Sequence, residues 1–80
     1  MKLKYIKTQD DEIIAFSLLI DHIRFKNLDP KSAGFLFINS DENRELSCKC
    51  IGESVGLGLK ADDEDSKLAK IQFIDAQYIF

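Results

Sequence analysis

The chain has no tryptophan, one proline, one histidine, two cysteines and four glycines in 80 residues. Each scarcity excludes something. Few prolines and glycines beside 45% apolar and 31% charged residues rule out a disordered composition, which buries too little apolar surface to offset the entropy of ordering. Basic residues are in no surplus: 11 against 14 acidic ones leave a formal charge of −3, and they are scattered, so direct nucleic-acid binding is not expected. No apolar run approaches the roughly 18 residues that span a bilayer. The longest, Ile13-Ile14-Ala15-Phe16 and Leu18-Leu19-Ile20, are interrupted by Ser17 and Asp21. The opening MKLKYIKTQDDE has lysines but no apolar stretch behind them such as a secretory signal needs, so a cytoplasmic protein without membrane association is expected.

What remains reads as a single small globular domain over 1–80, since a chain this short buries only about 60–65% of its unfolded surface and has no core to divide. Its thin stability margin favours a homodimer. Lys2 to Thr8 and Glu12 to Phe16, separated by Gln9-Asp10-Asp11, read as a hairpin. Asp21 is placed to cap a short helix over His22 to Leu28, with Ser17 as the competing cap and Asp29-Pro30 as the stop. In Ala33 to Asn39, Ala33, Phe35 and Phe37 face one way and Leu36 and Ile38 the other. A strand apolar on both faces is central and covered on both sides, by a helix or another subunit. After the turn Ser40 to Arg44, Glu45 to Ile51 alternates as its hairpin partner, and Val55 to Lys60 adds one short strand. The acidic Asp62-Asp63-Glu64-Asp65 opens a C-terminal helix whose apolar arc is Leu68, Ile71, Ile74, Tyr78 and Ile79, with Phe73 and Phe80 opposite. The fold class expected is α+β: an antiparallel sheet of four or five strands with a short helix and a C-terminal helix packed on it, in the order β-β-α-β-β-β-α.

Among candidate sites, Gly52-Glu53-Ser54-Val55-Gly56 spells the G-x-S-x-G of a serine-hydrolase elbow. The lone His22 precedes Ser54, however, and Leu57-Gly58-Leu59-Lys60 reads as strand where an elbow requires a helix. Other triad orders keep a small hydrolase or metal-dependent protein using His22 and Ser54 as an alternative. Glu53 and Ser54 beside a glycine-rich turn otherwise suggest a small recognition surface. Cys48 and Cys50, at i and i+2, share one strand face; without a second ligand pair they fit two small core residues and a reducing compartment better than zinc. The glycines match neither the P-loop nor the dinucleotide fingerprint, so no cofactor and no small-molecule ligand are expected. The runs Asp10-Asp11-Glu12 and Asp62 to Asp65 have no calcium-loop spacing and read as a turn and a helix start. If they shared a face, they would suit an acidic inhibitor of a nucleic-acid-handling complex.

KYIKT, Pro30-Lys31-Ser32-Ala33-Gly34-Phe35, and Cys50-Ile51-Gly52-Glu53-Ser54 with Leu57-Gly58-Leu59-Lys60 resemble segments of small uncharacterised proteins carried by bacteria and their phages. The resemblance transfers no catalytic residue and implies a stand-alone accessory protein. The function expected is a non-catalytic protein–protein interaction module that touches another protein or a second copy of itself through Glu53, Ser54, His22, Tyr78 and Phe80. With no complete catalytic or metal constellation, enzyme activity is not expected.

Overall fold

The computed structural model describes residues 1–74; the expectations for Tyr78, Ile79 and Phe80 lie outside them. Strands β1 (Lys2–Lys7), β2 (Ile13–Phe16), β3 (Ser32–Ser40) and β4 (Leu46–Ile51) form one antiparallel sheet in the order β2-β1-β3-β4. The first hairpin turns where Thr8 Oγ1 accepts the backbone N–H of Asp10 and Glu12 and Asp11 takes a positive φ of 64°. The second turns on Asp41, whose Oδ1 accepts from the amides of Asn43 and Glu45. In both, a short polar side chain replaces the backbone partners that the turn removes. The α+β class stands.

Each apolar face of β3 packs, over at least part of its length, against a different part of this same chain. On one face Tyr5, Ile13, Leu36 and Cys50 pack with Ala69 of helix α1 (Asp65–Phe73), and Leu3, Ile38, Cys48, Leu68 and Phe73 complete that core. On the other, Ile6, Phe16 and Ala33 pack with Phe25, Leu57 and Leu59. Cys48 and Cys50 thus share the core face that their spacing required, and burial pushes the Cys50 thiol up to about 12, with the Asp65 charge adding to the effect.

Several local details differ from the sequence reading. His22–Leu28 is a 3₁₀ helix, and Asp21 occupies its N-cap position without a side-chain capping bond; its carboxylate lies 3.8 Å from the Lys4 ammonium instead. Asp29 closes that helix in the left-handed region, with φ 50°. Val55–Lys60 is not one strand: β5 (Glu53–Ser54) and β6 (Leu59–Lys60) form a separate two-stranded sheet around a turn closed by Gly58 N–H to Val55 O. Gly58 is needed there, at φ +67°.

Helix α1 also faces otherwise than its hydropathy suggests. Phe73 packs into the core while Ile71 is 52% exposed. The inward stripe is Asp65, Leu68, Ala69, Gln72 and Phe73, a true i, i+3, i+4 set in which two members are polar. Gln72 reaches across to the outer strand β2, where Oε1 accepts from Ile13 N–H at 2.8 Å and Nε2 donates to Ile13 O at 3.2 Å. This side chain closes a stretch of open sheet edge that would otherwise invite pairing with another chain. Gln72→Ala is expected to lower stability by about 1–2 kcal/mol, the worth of a pair of partly buried hydrogen bonds. Urea denaturation checks it.

Candidate functional site

The side chains that sequence reading singled out are brought together. The 3₁₀ helix and the β5–β6 hairpin lie side by side on the sheet face opposite α1, and between them runs a groove of about 450 Å³. Asp21, His22, Ile23, Lys4, Phe35 and Glu53-Ser54-Val55-Gly56 line it. Three of the five expected site residues, His22, Glu53 and Ser54, are in this one place, and Tyr78 and Phe80 lie outside the described residues.

Proximity has not joined His22 and Ser54 by a hydrogen bond. The buried imidazole of His22 sits edge-on between Phe16 and Phe35, with ring centroids at 5.5 and 5.9 Å, and its Nε2 lies 2.9 Å from Gly34 O. A carbonyl can only accept, so this bond keeps the proton on Nε2 and leaves Nδ1 as the acceptor of the neutral ring. Ser54 Oγ accepts the N–H of Leu57 at 3.3 Å, inside its own turn. Among the described residues, His22 and Ser54 have these backbone groups as hydrogen-bond partners and not one another. The setting of Ser54 is also wrong for an elbow. A nucleophile elbow is a strained strand-to-helix turn, whereas Ser54 ends a strand, has no positive φ, and leads through a turn into β6.

The strongest polar constellation is one that sequence reasoning missed. Asp65, fully buried at the start of α1, accepts at Oδ2 from Tyr5 OH at 2.5 Å, Ser32 Oγ at 2.6 Å and Asp62 N–H at 3.0 Å. Its Oδ1 lies 2.8 Å from the ammonium of Lys7, which also holds Asp62 at 3.2 Å. Burial alone would push the Asp65 carboxyl up, but Lys7, Ser32, Tyr5 and the Asp62 amide together hold it below its ordinary value. Burial likewise works against the Lys7 charge, and Asp65 and Asp62 outweigh it, raising Lys7. Tyr5 is raised, first by burial and then by its bond to Asp65. No substrate reaches a carboxylate with no exposed surface. The cluster is a clamp that joins β1, β3 and α1. One signal for it was in the sequence: Tyr5 and Lys7 alternate onto the same strand face as Leu3, so a lysine on the core side demanded a buried carboxylate.

The two acidic runs do meet at one end of the sheet, but not as a bare negative face. Lys31 pairs with Asp11 and lowers its carboxyl, and Lys7 pairs with Asp62 and Asp65. Among the described residues no group of three or more histidine, cysteine, aspartate or glutamate side chains is placed to hold a metal ion, and no helix is long and apolar enough to cross a membrane. Comparison with known proteins finds no matching family model, no matching curated protein and no matching solved structure.

Proposed function

We propose that the chain is a non-catalytic interaction module that takes a peptide segment of another protein into the groove between the 3₁₀ helix and the β5–β6 hairpin. One observation carries the reading: His22 and Ser54, the groove's two candidate catalytic groups, are committed to the fold, while Ile23 and Val55 of its lining are exposed. His22 and Ser54 are bonded to backbone, whereas Val55 is 86% exposed and Ile23 45% exposed on opposite walls. Leu19, two residues before the groove begins, is 94% exposed. Exposed apolar side chains lining a cleft gain by closing on an apolar anchor. The rim selects what accompanies that anchor. The Lys4 ammonium is held by Ile20 O at 2.9 Å and lies 3.8 Å from Asp21, leaving the exposed Glu53 carboxylate to meet a basic residue.

A stand-alone accessory protein, as the phage-borne resemblance implies, suits such a module. The acidic-inhibitor reading ranks below it because Lys7 and Lys31 stand among the carboxylates.

Gly56 supplies the test. A Cβ built there meets nothing within 4 Å and Gly56 lines the groove, so Gly56→Trp is expected to fold and to obstruct it. Selection from a displayed peptide library should enrich sequences with an apolar anchor next to Lys or Arg, and Gly56→Trp and Val55→Asp should each weaken their binding at least roughly tenfold, the worth of one lost anchor contact. Selected peptides that bind both variants as tightly as the parent would refute the groove. Turnover of an activated ester that disappears in Ser54→Ala would refute the non-catalytic assignment.

A further inference from the structure

The register of the main sheet assembles a second surface from lysines that look scattered in the sequence. Residues paired across an antiparallel ladder project from the same face. Phe37 is paired with Lys2 on β1 and with Lys49 on β4, and Phe35 with Lys4 and Ile51. Two aromatic side chains therefore stand side by side along the central strand, about 7 Å apart, with lysines on both flanks. They lie on the face opposite α1: Phe35 stands at the groove, edge-on to His22, and Phe37 is outside the groove lining. Neither ring belongs to either core. What lies over them is the Lys2 ammonium, 4.8 Å from the Phe35 centroid and 5.5 Å from that of Phe37.

Two half-buried phenylalanines under a lysine close neither core, and the cation–π contact itself contributes only about 0.5–1 kcal/mol. A strand that presents rings to flat, anionic partners gains a stacking platform, because bases stack on aromatic faces whatever their identity while lysines take the phosphates. We infer that Phe35, Phe37, Lys2 and Lys49 form a binding face for single-stranded nucleic acid. The formal charge of −3 does not oppose this, because Asp10 to Glu12 and Asp62 to Asp65 lie at the other end of the strands, near Lys7. Of the nearer carboxylates, Asp41 is turned back onto its own turn and Asp21 takes up part of the Lys4 charge, while Glu42, Glu45 and Glu53 are exposed around the margin. Lys2 and Lys49 thus carry the phosphate contacts. The sequence expectation against nucleic acid rested on net charge and on spacing along the chain, neither of which reports the sheet register.

Fluorescence anisotropy with a labelled oligothymidylate of about 12 nucleotides, within the span that one small sheet domain covers, tests the assignment at low ionic strength. Saturable binding is expected, with log K falling against log salt at a slope of about −1.4 for two phosphate contacts. Phe37→Ala is expected to weaken it by roughly 5- to 100-fold, the worth of one stacked base, and Phe37→Tyr to restore it. Lys2→Glu with Lys49→Glu should abolish binding in a protein of unchanged far-UV circular dichroism. Since Phe37 is outside both cores, its variants should fold; the lysine variant decides the matter if they do not. Absence of binding, equal binding by Phe37→Ala, or equal affinity for a duplex of the same length would overturn the proposal. Competition by polyglutamate as effective as the oligonucleotide would overturn it too, by assigning the face to an acidic protein.

Discussion

Replacing Asp65 by alanine is expected to cost about 3–5 kcal/mol of folding stability, a large share of the roughly 4–12 kcal/mol that a domain of this size possesses. The loss exceeds that of an ordinary core truncation because four groups lose their partner together. Tyr5 and Ser32 lose the acceptor of their hydroxyls, the Asp62 amide loses its own, and the nearly buried Lys7 ammonium keeps only the more exposed Asp62. Removing both charges is expected to do less harm than removing one. Lys7→Met combined with Asp65→Leu leaves no stranded ion, and in urea it should lie above Asp65→Ala.

The same cluster sets the pH response. The Asp65 carboxyl is lower in the folded state than in the unfolded chain, so its contribution is present above the unfolded value near pH 4 and is lost as the pH falls through the folded one. Tyr5 and Lys7 are both raised on folding, so their share is present below about pH 10 and is lost as the pH rises through their folded values. The clamp therefore contributes in full between about pH 4 and pH 10, and Asp65→Ala should flatten the acid limb of a stability profile.

Gly34→Ala is expected to be the most damaging single methyl in the chain. Its Cβ would stand 2.6 Å from Ile51 O and 3.3 Å from Gly52 O, both backbone atoms. Neither can move without parting β3 from β4 or shifting the entry to β5. Overpacking of this kind costs about 1–3 kcal/mol or more, and because Gly52 leads directly into Glu53 and Ser54, the groove should be disturbed with it. Gly56→Ala is the control, expected within about 0.5 kcal/mol, since nothing lies near its added methyl. Thermal unfolding of the pair reads the contrast.

Strand parity made much of the molecule legible before any coordinates. The alternation in Ala33 to Asn39 gave the two-faced central strand, and the i, i+2 spacing of Cys48 and Cys50 gave their shared core face. Parity failed where polar atoms do the work of apolar ones. Helix α1 turns Asp65 and Gln72 inward, so a reading that sought an apolar arc rotated the helix, gave Ile71 to the core and left Phe73 outside. The groove was half legible. Gly52 to Gly56 flagged a turn and His22 a helix start, but their meeting depends on β5–β6 folding back against the 3₁₀ helix, a contact with no local signature. The pairing of Lys2 and Lys49 across Phe37 was hidden for the same reason, since they are 47 positions apart and only the register makes them neighbours.

Both proposed binding surfaces lie on the sheet face that α1 does not cover, and amide shift mapping of the labelled protein tests them directly. Titration with a selected peptide is expected to move Asp21 to Ile23 and Glu53 to Gly56, and titration with oligothymidylate to move Lys2, Phe35, Phe37 and Lys49. In both, Leu68 and Ala69 should stay still. Shifts centred on Leu68, Ala69 and the clamp around Asp65 would contradict the account, because they would mean that ligands engage the side the helix closes.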